Sequence, residues 1–194
     1  MLHHYGRRFG GIGTIVTLDD GRAFTAAHCL APVDGASGVV IGNGHDAWRV
    51  LKRWSPKRTD LAVLRALPAP GRARGSRVPG WPADRVARVP TGVLVRPGVC
   101  VEFVGHTGQR FARRAATVIA VTATSATAVV EHPTGVCASD SGGPVFVHGV
   151  LVGIVTHRTG PALSPRCSSQ LVFTRLDAPG MRRRLHAAFG RGDR

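Results

Sequence analysis

Before residue 177 no stretch of this chain sustains a helical period. Its apolar residues come in short runs rich in β-branched side chains, each closed by turn residues. Runs of that length and punctuation form strands. The candidates in the first half are 14–18, 22–27, 38–42, 47–55 and 60–66. Those in the second half are 98–104, 116–123, 126–132, 144–148, 150–157 and 170–176. Short strands at such regular spacing predict an all-β sandwich or barrel. The period changes only at the end. Asp177 is placed to cap a helix, Pro179 fits its first turn, and Met181, Leu185 and Phe189 recur every four residues on one face. Gly190 is the stop signal. A C-terminal α-helix is therefore expected, docking by that face and turning Arg182, Arg183 and Arg184 to solvent.

A chain of 194 residues suffices for one domain of two layers, or for two small barrels sharing an interface. Between the two groups of strands lies Leu67 to Pro90, with Pro68, Pro70, Pro79 and Pro82 inside it. Proline removes ladder donors, so this stretch reads as a connector from one unit to the next. The longest apolar run, Val150 to Val155, falls far short of the roughly 20 residues a membrane-spanning helix needs. A protein embedded in a membrane through helices is excluded. Arg7-Arg8-Phe9 superficially resembles a twin-arginine signal. Thr14 to Leu18, Asp19-Asp20-Gly21 and Arg22 to Thr25 instead read as strand, tight turn and strand, which the core needs.

The formal net charge is +15, carried almost wholly by arginine; Lys52 and Lys57 are the only lysines. Ala, Gly, Val and Pro are abundant beside the arginine, which fits a compositional bias of the coding sequence. No nucleic-acid motif accompanies the charge, so no specific nucleic acid and no membrane surface is expected as partner. A basic nucleic-acid-binding domain is the lowest alternative, and it predicts strongly salt-dependent binding to polyanions. The four cysteines, Cys29, Cys100, Cys137 and Cys167, contain no CxxC pair, so no metal site is expected. Four cysteines allow three pairings, and spacing alone does not choose among them.

Three segments carry chemistry. Thr25-Ala26-Ala27-His28-Cys29 ends a strand, Asp60-Leu61-Ala62-Val63-Leu64 opens another, and Cys137-Ala138-Ser139-Asp140-Ser141-Gly142-Gly143-Pro144 is a glycine-rich turn entering a third. A serine hydroxyl is a poor nucleophile at neutral pH and needs an adjacent base. Neutral histidine suits that task, and a carboxylate behind the ring fixes its tautomer and stabilises the imidazolium. His28, Asp60 and Ser141 are the residue types required. Gly142 and Gly143 let backbone approach a substrate closely, and amides in such a turn can stabilise an oxyanion. Each segment alone has an ordinary structural reading as a strand end, a strand start or a turn; the set of three does not.

On these segments, and on their order His, Asp, Ser, the sequence resembles the trypsin/chymotrypsin-like serine peptidases over nearly its whole length. Val152-Gly153-Ile154-Val155 resembles the strand leading to the family's substrate-binding edge, and Val172-Phe173-Thr174-Arg175-Leu176 resembles the end of its fold. The resemblance implies two perpendicular antiparallel β-barrels with the active site between them. Residues 1–90 would form the first barrel and the connector, carrying His28 and Asp60. Residues 91–194 would form the second barrel and the terminal helix, carrying Ser141. It implies Ser141 as nucleophile, His28 as general base, Asp60 as its orienter, and the amides of Ser139, Asp140 and Ser141 as oxyanion hole. It also implies a disulfide between Cys137 and Cys167, polypeptide substrates, a monomer, and no cofactor. Cys29 and Cys100 lack family partners and are expected as free, buried thiols.

The departures from the family are informative. The family's eukaryotic members pair the Asp before the nucleophile with a newly made N-terminal amine, and no Ile-Val-Gly-Gly start is present here. The short bacterial members satisfy that Asp internally. This chain is similar to them, also in Val99-Cys100 followed by Gly105-His106-Thr107-Gly108. Several arginines are candidates for pairing with Asp140. Ser139 replaces the usual glycine of the oxyanion hole, and a side chain there favours a flipped peptide. A catalytically weak pseudoprotease acting as a binding module is therefore the main alternative. By the resemblance Gly135 lies at the base of the primary pocket, where trypsin itself has Asp. Thr156, His157 and Arg158 line its wall and mouth, and Leu171 stands where Gly is frequent. A preference for small or acidic side chains before the scissile bond is expected, not for Arg or Lys. Absence of signal and pro-segments suits an intracellular protein, whereas the implied disulfide suits an oxidising compartment. The expectation leans to the extracytoplasmic side.

Overall fold

A computed structural model of the chain describes residues 16–17, 22–33, 40–42, 47–56, 59–68, 92–107, 110–181 and 183–185. Its first sheet contains β1 (Val16–Thr17), β2 (Arg22–Ala26), β3 (Val40–Gly42), β4 (Ala47–Trp54) and β5 (Leu61–Pro68), in the antiparallel order β1-β2-β5-β4-β3. The strand–turn–strand expected near the N-terminus is present as Val16 opposite Phe24 and Thr17 opposite Ala23. A 3-10 segment, Ala27–Val33, follows β2 directly.

The second sheet holds β6 (Cys100–Thr107), β7 (Arg110–Val121), β8 (Ser125–Val130), β9 (Val136–Cys137), β10 (Pro144–Val147), β11 (Val150–Ser164) and β12 (Cys167–Arg175). Its order is β11-β10-β6-β7-β8-β12-β9, and β11 also pairs with β12, so six strands close into a barrel with β9 at its margin. Alternation builds its core: along β8 every second residue is buried, and Ala126, Ala128 and Val130 join Phe103, Val118, Val152 and Phe173 inside.

Over residues 61–64 strand β5 is buried on both faces. Leu61 and Val63, with Phe24, pack against Val104, Phe146, Leu151 and Ile154 of the second barrel; Ala62 and Leu64 turn the other way onto Ala23 and Leu30. The period of two in a continuous apolar run thus gives one side to the first sheet's own interior and one side to the interface. Met181 and Leu185 join that interface cluster, as the terminal stripe predicted. Helical backbone is present at Met181 and 183–185, while Phe189 and Gly190 lie outside the described residues.

Four expectations are corrected. Strand β7 begins at Arg110, six residues before the expected 116, and pairs with β6 from Thr107 opposite Arg110 to Cys100 opposite Thr117. The hairpin of β11 and β12 continues past 157 to Ser164 opposite Cys167, with its register shifted between Thr159 and Ala162, where Pro161 can be tolerated. The connector starts after Pro68, since Leu67 and Pro68 pair with β4; its remaining residues through 90 lie outside the described ones. Asp177 does not cap the helix. Its carboxylate accepts the amides of Leu94 (2.8 Å) and Val95 (2.7 Å) and pairs with Arg175 Nε at 2.9 Å, fixing the entry of the second barrel. No helix among the described residues is long and apolar enough to cross a membrane.

Candidate active site

His28 and Asp60 are brought together by strand register. Ala26, the last residue of β2, lies opposite Leu61, the first of β5, and the Ala27 amide donates to the Asp60 carbonyl at 3.2 Å. The residues just beyond that pair therefore face each other. His28 Nδ1 lies 2.6 Å from Asp60 Oδ2, and the His28 amide donates to Asp60 Oδ1 at 2.9 Å. Both carboxylate oxygens are engaged, so ring and carboxylate are held in one relative orientation. The ring is half exposed. Cys29 Sγ stands 3.6 Å from its other nitrogen, Nε2. The bond to Asp60, and next the one to Cys29, push the His28 pKa from 6.5 up to about 10 against the opposing effect of burial. At neutral pH the ring rests in its charged form.

Ser141 sits across the interface, in the turn between β9 and β10. Gly142 follows it at φ 83°, a left-handed conformation that favours glycine. A Cβ at Gly143 would overlap the Val104 carbonyl and lie 2.9 Å from that of Asp140. These two glycines let the turn fold against β6, and Gly142 N to Val155 O (2.7 Å) with Val155 N to Gly143 O (2.8 Å) ties it to β11. Ser141 is buried and its hydroxyl donates to the Thr156 carbonyl at 3.1 Å. Among the described residues no hydrogen bond joins Ser141 to His28. Ala138–Asp140 form a 3-10 turn. Such turns bond each amide to the carbonyl three residues before it, which aims the Ala138 carbonyl at the Ser141 amide.

The turn is anchored from below. Asp140, fully buried, accepts the Cys137 amide at 2.7 Å. Its Oδ1 lies 2.7 Å from Arg114 Nη2, and both side chains are almost wholly out of solvent. Arg114 also donates through Nη1 to the Gly135 carbonyl at 2.7 Å, and its guanidinium stacks 4.5 Å above the Phe103 ring. The Nη2 contact is an ion pair off the line of a good hydrogen bond, and Nε has no hydrogen-bond partner. A Cβ at Gly105 would overlap both the Asp140 carboxylate and the Arg114 guanidinium, so this glycine makes room for the pair. Arg114 is the internal partner of Asp140 that the sequence left open.

The other expected residues gather beside this turn. Cys137 and Cys167 form a disulfide across β9 and β12. Cys29 and Cys100 are both free, but neither is buried as expected: Cys29, in the 3-10 segment, is half-buried, and Cys100, the first residue of β6, is exposed. Gly135 is buried with φ 62°, and a Cβ there would overlap the Ser168 carbonyl. Thr156 turns its hydroxyl to the Val172 carbonyl (3.0 Å) and His157 Nδ1 (3.2 Å). His157 is exposed. Arg158, half-buried, donates to Ser168 Oγ (3.0 Å) and to the Pro165 carbonyl (3.2 Å), and Leu171 is buried within the barrel. Among the described residues no cluster of three metal-ligating side chains occurs.

The Trypsin family model matches residues 12–177. No curated protein matches the sequence. Among solved structures, kallikrein-related peptidase 10 in complex with Zn2+ superposes with TM-score 0.68 at 19% identity, covering 97% of this chain and 94% of that one. Human heparin binding protein does so with TM-score 0.70 at 17% identity, covering 100% and 91%. The scabies mite inactivated protease paralogue S-D1 has TM-score 0.65 at 15% identity, covering 91% and 86%. At these identities the likeness establishes the fold.

Proposed function

The chain belongs to the trypsin family, and on that premise we propose that it is a serine endopeptidase working through Ser141, His28 and Asp60. Ser141 attacks the scissile carbonyl, His28 takes its proton and returns it to the leaving amine, and Asp60 keeps the ring oriented. The observation that carries this reading is the His28–Asp60 pair, closed by both carboxylate oxygens, one to the ring and one to the backbone. Arg114 supports it, giving Asp140 from within the chain the cation that other members obtain by N-terminal processing. Two rearrangements accompany substrate binding. The Ser141 side chain rotates from the Thr156 carbonyl to His28, and the Ala138–Ser139 peptide turns so that amides line the oxyanion hole. Arg158 brings a positive charge, with no carboxylate partner among the described residues, beside Ser168 and the Gly135 turn. This favours small or acidic side chains before the scissile bond, and a peptide library cleaved after Arg, Lys or large aromatics would reject it.

A fluorophosphonate probe tests the triad. One adduct on the wild type by intact mass, absent from Ser141→Ala and His28→Ala, is expected. No adduct on the folded wild type overturns the reading. A second reading then leads, in which the fold serves binding without catalysis; of two structural neighbours, one is named a heparin binding protein and the other an inactivated protease. It is favoured by the Ser141 hydroxyl being bonded to a carbonyl and not to His28.

A further inference from the structure

The endopeptidase mechanism leaves one nucleophile at the site without a task. Cys29 follows His28 directly, is in no disulfide, and is only half-buried. Its sulfur lies 3.6 Å from His28 Nε2, the nitrogen that the mechanism reserves for Ser141, while Ser141 is bonded to Thr156 instead. The same ring is held from behind by Asp60 at 2.6 Å. Nucleophile, imidazole and carboxylate are therefore already connected in this chain, with sulfur in the place of the serine oxygen.

We propose that Cys29, His28 and Asp60 form a reactive-thiol site that is capped by small disulfides, a modification site distinct from the Ser141 chemistry although it shares that site's histidine. A thiolate and not a thiol attacks a disulfide. Nε2 of His28, 3.6 Å from the sulfur and held in place by the Asp60 contact on the other ring nitrogen, is positioned to bear the proton that leaves Sγ. Sγ attacks the nearer sulfur of the incoming disulfide. A new bond joins Cys29 to one half, the reagent's own bond breaks, and the other half leaves as a thiolate that takes up the proton. No net oxidant is needed beyond the disulfide itself. Once capped, the sulfur no longer holds Nε2, and that nitrogen is released.

Exposure alone predicts the opposite order of reactivity, because Cys100, the other free thiol, is exposed and Cys29 is not. The intact protein is treated with dithiodipyridine near pH 6, and capping at each cysteine is followed by peptide mass. Cys29 is expected to cap about tenfold faster than Cys100, because the ring nitrogen beside its sulfur assists departure of the thiol proton. His28→Ala and the gentler His28→Gln are both expected to abolish the advantage. Capping of Cys29 no faster than Cys100, or an advantage that survives both variants, overturns the proposal. The endopeptidase reading fails separately: rapid capping with no fluorophosphonate adduct removes that reading alone, and an adduct with slow capping removes the thiol site alone.

Discussion

Replacing Arg114 by methionine tests whether the buried ion pair frames the nucleophile turn. Methionine keeps much of the stem's volume and its contact with Phe103, and it removes the charge. Asp140 would keep the Cys137 amide but lose the guanidinium 2.7 Å away, and the Gly135 carbonyl would lose its donor. Both ionic side chains are at most 1% exposed, so water cannot replace the missing cation without opening the turn. Breaking such a pair by removing one partner costs about 3–5 kcal/mol, because a buried charge is left uncompensated. For a chain of this size each kcal/mol lowers the melting temperature by roughly 2–4 °C, so a drop of about 6–20 °C is expected. Thermal melts by circular dichroism without reductant, so that the Cys137–Cys167 bond stays closed, provide the measurement. Adding Asp140→Asn removes the stranded charge, and the double variant should lose less than the sum of the two single losses. A single variant melting within about 2 °C of the wild type, or strictly additive losses, would refute the argument.

Three further outcomes follow from the geometry. Activity requires a neutral His28, and its pKa is raised to about 10, so kcat/KM should climb with pH well above 6.5; Cys29→Ala removes the second-largest cause of the rise and should move that limb to lower pH, as a pH–rate profile would record. The charged ring's stabilising contacts act oppositely, present in full below about pH 6.5 and lost as pH rises through about 10. Ser139→Gly removes the side chain that favours the 3-10 turn and should raise fluorophosphonate labelling by up to about 10²-fold, the usual worth of an oxyanion-hole donor; an unchanged rate would exonerate Ser139. Gly105→Ala drives a methyl into the Arg114–Asp140 pair and should melt well below the wild type, whereas Gly92→Ala, where nothing lies within 4 Å, should melt close to it.

How much of this was legible depended on whether a residue's role was local. Strands whose inner faces are apolar, such as those expected at 60–66 and 170–176, stand out because the apolar alternation is written in their own residues. The start of β7 did not, since Arg110 to Ala115 carries three arginines and looks like a solvated loop. One of them, Arg114, is buried in the barrel, and it is there because Asp140, distant in sequence, awaits it. Nothing within the segment distinguishes it from Arg113 beside it, which faces solvent and reaches only the exposed Glu102 at 3.5 Å. Asp177 misled for the same reason: beside Pro179 it has every local mark of a helix cap, and its partners are Arg175 and the amides of residues 94 and 95. The Cys29 contact was hidden by the family pattern, which assigns that position to a disulfide and so directs attention to a missing partner and not to the adjacent ring.

The site divides into a frame that must stay and bonds that must exchange. The frame comprises the Arg114–Asp140 pair, the Cys137–Cys167 disulfide and the two strand-tied glycines, all of them buried or covalent. The exchangeable bonds are the Ser141 hydroxyl on the Thr156 carbonyl, the Cys29 sulfur on His28, and the Ala138 carbonyl facing the Ser141 amide. Each is an ordinary hydrogen bond or weaker, worth about 0.5–1.5 kcal/mol net, so releasing all three costs roughly 1.5–4.5 kcal/mol. A peptide held at micromolar affinity brings about 8 kcal/mol. Because the exchange costs less than that, the resting arrangement is compatible with the endopeptidase proposed, its site completed by the substrate.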